Sequence, residues 1–295
     1  MAFALYYEKV NNKQMKSILN KHSPLIMGIL NVTPDSFSDG GQHNKQEQAV
    51  KRALEMIKQG ADIIDIGGES TRPGATPVSA QQQIDRVIPV IEGLRVSPAK
   101  NITISVDTTN FEVAKTALDA GANWLNDISA GDDACDKGLE NEPMLSLAAK
   151  HNCPIVLMHR QGKSNTMQDA PYYNDVCAEV NNYLQSRAQA ALEVGVAEHN
   201  IIIDPGIGFG KLLNHNLSLM AGLGSLVGLG YSVLLGTSRK KFLGEIIGQD
   251  DPTKRMVATC ATTALGVNAG VKIFRVHDIL ENKQALDVAW QIKIS

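Results

Sequence analysis

Four cysteines in 295 residues, none of them in a CxxC pair, give no basis for a disulfide framework or a thiolate zinc site. Cys135, Cys153, Cys177 and Cys260 are therefore expected to be reduced bystanders. No apolar run approaches the roughly 20 residues that a membrane span requires, which excludes a helical membrane protein. The opening stretch 1–10 reaches Glu8 and Lys9 without a small-residue cleavage site, so the expected location is the cytoplasm. Aromatics are scarce at 5% and the net charge is only -3, so there is neither a basic field nor a stacking surface for nucleic acid. Any anionic ligand must be held by local charges. A GxGxxG nucleotide fingerprint is also missing. The glycine-rich stretch 206–211 lacks that spacing, and no Ser or Thr follows Lys211. Gly222, Gly224, Gly228 and Gly230 read as turn glycines, and the acidic segment 129–141 as a solvated loop rather than a metal site.

What the chain has is a core and a rhythm. A hydrophobic fraction of 43% with 20% charged residues describes a globular protein. Short β-branched runs alternate with amphipathic stretches, the mark of parallel βα units. Strands are expected at 25–32, 62–67, 102–107, 124–128, 154–159, 201–204, 232–236 and 271–276. Helical stretches are expected at 46–59, 81–94, 111–120, 144–150, 173–193, 253–267 and 279–292. Eight such units, with strands apolar enough to be covered on both sides, fit an α/β fold closed into a (β/α)8 TIM barrel. No linker divides the chain, so residues 1–295 are expected to form a single domain, with the motif-bearing core at about 25–278.

Polar residues gather where the strands stop. Asn31 closes the first, and Glu69-Ser70-Thr71-Arg72-Pro73-Gly74 follows the second. Asp107 ends the third, Asn126-Asp127 sits in the fourth, and Met158-His159 ends the fifth. Asp204-Pro205-Gly206 follows the sixth, Thr237-Ser238-Arg239-Lys240 the seventh, and Arg275-Val276-His277-Asp278 closes the eighth. Singly, each has a dull explanation: Asp107 could cap the helix near Asn110, Asp204 could start a proline turn, and Lys240 could be a surface charge. Together they put carboxylates, amides and cations around the C-terminal mouth, where barrels keep their active sites. Asp107, Asn126 and Asp204 are expected deep in the cup, as acceptors for a flat heterocycle bearing N–H donors. Arg72, Arg275 and His277 are expected in or beside loops, gripping a phosphate or diphosphate.

These motifs, at 28–41, 67–74, 107–108, 126–129, 158–159, 204–211, 236–241 and 275–278, resemble the dihydropteroate synthase family in its order of strand ends. The resemblance implies condensation of 7,8-dihydropterin-6-ylmethyl diphosphate with p-aminobenzoate, with Mg²⁺ on the leaving group and an SN1-like course without a covalent enzyme nucleophile. It also implies pterin contacts from Asp107, Asn126, Asp204 and Lys240, substrate contacts from Met158 and Phe209, and a Mg²⁺–diphosphate contact from Asn31. Arg72, Lys240, Arg275 and His277 become the catalytic set, with Thr71, Pro73, Lys241 and Val276 as further substrate contacts. The loops 33–42 and 71–77 would close over the mouth and complete the aminobenzoate site, which p-aminobenzoate analogues such as sulfonamides should share. Lys241 stands where many relatives carry serine. Members of the family are dimers, so a homodimer is expected, with small molecules as substrates.

Two other classes fit some of these residues. A pterin-binding barrel that transfers a methyl group to a corrinoid protein would share the Asp/Asn cradle, but it has no use for the cations Arg72, Lys240, Arg275 and His277. A silent paralogue that only binds pterins should have lost loop residues, and Asn31, Arg72, Asp107, Lys240 and Arg275 are all present.

Overall fold

A computed structural model describes residues 18–33, 42–69, 78–131, 143–162, 167 and 170–295. Eight parallel strands close on themselves in chain order. They are β1 (Leu25–Asn31), β2 (Ile63–Gly67), β3 (Thr103–Asp107), β4 (Trp124–Asp127), β5 (Ile155–Met158), β6 (Ile201–Asp204), β7 (Ser232–Leu235) and β8 (Ile273–Val276). Around them run α1 (Gln42–Lys58), α2 (Ala80–Arg95), α3 (Phe111–Asp119), α4 (Pro143–His151) and α5 (Val176–Glu193). The ring continues with α6 (Leu213–Ala221), α7 (Leu223–Val227), α8 (Lys241–Ile247), α9 (Met256–Ala269) and α10 (Ile279–Ile294). This is the expected (β/α)8 barrel. No helix among the described residues is long and apolar enough to cross a membrane.

Alternation along each strand divides the core in two. Leu25, Met27, Ile63, Trp124, Val156, Ile202, Leu234 and Ile273 fill the barrel interior, with Ile18 and Leu19 packed against them. Their sequence neighbours, such as Ile26, Ile64, Leu125, Ile203, Leu235 and Phe274, face outward against the helices. Covering both faces is why the strands read as continuous apolar runs.

Strand spans fall within one or two residues of expectation, while the helices show larger differences. Helix α5 starts only at Val176, where Asp175 accepts from Ala178 N–H as an N-cap, so the stretch from 173 is not helical. Helix α9 starts at Met256 after a separate 3₁₀ turn, Pro252–Lys254. Helices α6 and α7 are not among the helical stretches expected from the sequence. Three of the four glycines read as turns bound or lie in these short helices: Gly222 and Gly228 flank α7, and Gly224 sits inside it. Only Gly230 of the four has a positive φ, at 90°. The acidic segment 129–141 lies largely outside the described residues, as does Cys135.

Candidate functional site

Register builds the site. Asn31 pairs with Gly67, Gly67 with Asp107, and Asp107 with Asn126, so four strand ends present one continuous row at the mouth. Residues in register on parallel strands point to the same face. That face is the interior, because Met27, Ile63 and Trp124 lie on the same alternation below. On the far side Met158 pairs with Asp204. Gly67 contributes an opening: a Cβ there would lie 3.5 Å from Asn31 Oδ1 and 3.6 Å from Asp107 Cβ.

The row borders a cavity of about 1210 Å³, lined among others by Asn31, Asp107, Asn126, Met158, Asp204, Phe209, Lys240, Lys241, Arg275 and His277. Pockets for one drug-sized ligand run to roughly 1,000 Å³, so this one has room for two small substrates side by side. Thr71, Arg72 and Pro73 fall outside the described residues, as do most of the loops 33–42 and 71–77. Val276 is placed differently from expectation. Its side chain is buried among the residues between barrel and helices, because it follows the inward-facing Arg275 by one position.

Helix α3 is capped by Asn110, which accepts from Glu112 and Val113 N–H, so Asp107 is not a capping residue. Asp127 is spent on a turn, accepting from Ser129 N and Oγ and from Gly131 N. Asp204 serves both purposes. Its Oδ1 takes the Gly206 N–H at 2.7 Å, while Oδ2 lies 3.9 Å from where a Gly236 Cβ would stand.

Arg275 corrects the expectation of a rim cation. It starts from the layer of Met27, inside β8, and crosses the barrel interior. Its Nε donates to Asp65 Oδ2 at 2.6 Å and its Nη2 to Asp107 Oδ2 at 2.6 Å. Burial works against its charge, but the two carboxylates outweigh that and hold its pKa above the ordinary value. Burial pushes the Asp107 carboxyl up to about 7; Arg275 opposes this, and Asp65 adds to it. Asp204 is also raised, first by burial.

Lys240 is at the start of α8, and its ammonium turns back into the cavity. It donates to Ile207 O at 2.7 Å and lies 3.9 Å above the Phe209 ring. Burial lowers its pKa to about 7 against the pull of Asp204. His277 shares Ser238 Oγ through both its backbone N–H and Nδ1. Lys241 is mostly exposed and pairs with Glu245 along the helix. The floor is thus acidic with one cation threaded through it, and the rim holds Lys240 and His277.

Sequence reasoning missed Asp65 and Lys211. Asp65 was absorbed into an apolar strand, although a lone carboxylate on the inward alternation must find a charge partner. The sequence offers Lys211 only as the lysine of an incomplete phosphate loop. It is 3% exposed and donates to Phe209 O and to His159 Nδ1, both at 3.0 Å. Burial and Lys211 drive the His159 pKa down to about 3, so the ring is neutral and can accept. The turn it clamps depends on glycine. Gly206 and Gly210 have φ of 64° and 62°, and a Cβ on either would collide with the backbone oxygen of His159 or Gln161.

Residues 27–277 match the family described as pterin binding enzyme. The dihydropteroate synthase of Bacillus subtilis is 48% identical over 260 residues, covering 88% of this chain and 85% of its own length. A Yersinia pestis dihydropteroate synthase solved with a sulfonamide drug superposes with a TM-score of 0.83 at 40% identity, covering 92% of this chain and 95% of that one. The Xanthomonas albilineans dihydropteroate synthase with 4-aminobenzoic acid superposes with a TM-score of 0.83 at 43% identity, covering 93% and 94%.

Proposed function

The chain belongs to the pterin binding enzyme family as a dihydropteroate synthase, a transferase of folate biosynthesis, and we propose that its barrel mouth performs the condensation with the residues named below. The observation that carries the assignment of roles is the inward row of Asn31, Asp107 and Asn126, closed by Asp204 and flanked by Lys240, Arg275 and His277 around one cavity.

Asp107, Asn126 and Asp204 accept from the pterin ring N–H and amino groups, and Lys240 donates to ring acceptors, with Met158 and Phe209 giving apolar contact. The methylene C–O bond breaks and its electron pair leaves with the diphosphate. The aminobenzoate nitrogen then attacks the methylene cation, and its surplus proton passes to solvent. Arg275 and His277, with Arg72 from outside the described residues, neutralise charge on the leaving group as it forms. No nucleophile is used: Cys153 is buried, with its thiol pushed up to about 12 by desolvation.

A magnesium ion fits the residues present in one way. No group of three His, Cys, Asp or Glu side chains that could hold a metal occurs among the described residues. Mg²⁺ is commonly held by one protein oxygen plus substrate phosphates and waters, and the amide oxygen of Asn31 beside the Gly67 opening suits that role. When bound it would spread the negative charge of the departing diphosphate.

Lys241 begins α8 on the cavity wall, where an exposed ammonium and a helix-start N–H can meet the aminobenzoate carboxylate. Lys241→Ala is expected to raise the aminobenzoate KM by about three- to tenfold with kcat nearly unchanged, as for the loss of one exposed charge contact. An unchanged KM in steady-state assays would remove that role.

For the protein as a whole we favour one domain over 1–295, a cytoplasmic location and a homodimer. A second copy suits the outer faces of α9 and α10, where Val257 and Leu265, then Val288 and Ile292, stand exposed at helical spacing. The direct test of the activity is incubation of purified protein with dihydropterin diphosphate, p-aminobenzoate and Mg²⁺. Equimolar diphosphate and dihydropteroate are the expected products; formation of neither would refute the reading.

A further inference from the structure

Asp65 has no part in the roles assigned above, yet two of the site's side chains are fastened to it. It lies in mid β2, wholly shielded from solvent, one inward layer beneath Gly67 and Asp107. A carboxylate at that depth has lost its hydration and is tolerated only where other groups compensate its charge. Both compensating contacts converge on one oxygen: Oδ2 accepts from Arg275 Nε at 2.6 Å and from Asn126 Nδ2 at 3.0 Å. Its Oδ1 has no hydrogen-bond partner among the described residues, and neither do Ser105 Oγ and Trp124 Nε1, its register neighbours on β3 and β4. Buried polar atoms are generally satisfied. A carboxylate whose two contacts both go to ligand-facing side chains, with its other oxygen left over, is built around the site rather than around the core.

The two carboxylates on Arg275 differ in kind. Asp65 is sealed below the floor, and Asp107 lines the cavity, where the ring N–H groups of an incoming pterin compete for its oxygens. We infer that Asp65 is a positioning residue for the condensation: it holds the Nε edge of Arg275 in place while the pterin takes over Asp107, which frees Nη2 for the leaving diphosphate. The same oxygen orients Asn126, whose Nδ2 is tied down and whose Oδ1 is left for the ligand. Asp65 itself makes and breaks no bond. The inference rests on the functional reading above, since it presumes a pterin at Asp107 and a diphosphate above it.

The test is a double-mutant cycle of Asp65→Asn and Arg275→Gln, with folding of each variant checked by circular dichroism. Asparagine keeps an oxygen that can accept from Asn126, so the substitution removes chiefly the charge on Arg275. Asp65→Asn is expected to lower kcat at least tenfold while binding of 6-hydroxymethyl-7,8-dihydropterin, which lacks the diphosphate, stays within about threefold of wild type. Added to Arg275→Gln it should change kcat by less than about threefold, because the route through Arg275 is already cut. Additive losses would overturn the inference, and so would a kcat for Asp65→Asn within threefold of wild type or an equal loss of hydroxymethyl-dihydropterin binding. If Asp65→Asn alone does not fold, the double variant, in which both charges are gone, is compared with Arg275→Gln, and a further loss beyond threefold overturns it. An inactive wild type would instead refute the function and leave this geometry untouched.

Discussion

An Asp204→Ala enzyme should retain its fold and lose about 10²- to 10⁴-fold in kcat/KM, since a site built to hydrogen-bond a ring loses orders of magnitude when its buried partner is removed. Asp204 is 6% exposed at the end of β6, with one oxygen committed to Gly206 and the other toward the cavity. Hydrogen bonds to a charged group contribute about 1.5–3 kcal/mol each, so two lost ring contacts cost about 3–6 kcal/mol, and about 1.4 kcal/mol is a factor of ten. A second loss runs the same way. Asp204 is the anion that most raises the pKa of both Lys240 and Lys211, and without it both ammonium groups give up protons more readily. Asp204→Asn separates the roles, because its amide oxygen can still accept from Gly206 while its NH₂ faces the donors of the ring. Its melting temperature should match wild type and its activity should be nearly as poor as that of the alanine variant. A loss under tenfold in steady-state assays on either variant would show that the ring is not seated on Asp204.

The barrel was legible because its signal is repeated. Eight strands apolar on both faces and the polar residues at their ends leave few other architectures, and closure then forces Asn31, Asp107 and Asn126 into one row. What could not be read was the reach of long side chains. Arg275 sits next to a loop in sequence, yet its guanidinium reaches across the interior to Asp65, a contact between residues 210 positions apart. Strand register, which chain order alone does not supply, decides that meeting. The short helices escaped for a different reason. Helix α7 is five residues, LGSLV, in which no hydrophobic period can build up, and glycines at its ends read more naturally as turns. Lys211 lacks the phosphate-loop motif, as the sequence indicates, but no pattern around it foretells the clamp that it forms between the β5 and β6 loops. Val276 shows the value of alternation, for a one-residue step from Arg275 is enough to turn a side chain out of the cavity.

Lys240→Met should produce an enzyme that is both nearly inactive and, without ligands, more stable. The activity loss is expected at about 10²- to 10³-fold in kcat/KM, because a buried charged donor to the ring is worth about 3–4 kcal/mol at most and methionine leaves the ring acceptor unmatched. The stability gain follows from linkage. Burial is the main cause that lowers the Lys240 pKa from 10.5 to about 7, so between those values the unfolded chain binds a proton that the folded one does not. Stability from this group is therefore fully present above pH 10.5 and is lost as pH falls through about 7. The melting temperature of the ligand-free wild type should rise from pH 7 to pH 10, and the variant should keep only the part of that slope due to Lys211, which is lowered to about 7 in the same way. At pH 7 the variant should melt about 2 °C or more above wild type, the shift that ~1 kcal/mol gives in a domain of this size. Dihydropterin diphosphate should reverse the order, since its ring acceptor gives the wild-type ammonium a partner that methionine cannot match. Differential scanning calorimetry across pH, with and without dihydropterin diphosphate, reads both halves. A wild type whose stability falls between pH 7 and 10, with Lys240→Met following it in parallel, would mean that the ammonium is not held desolvated over Phe209.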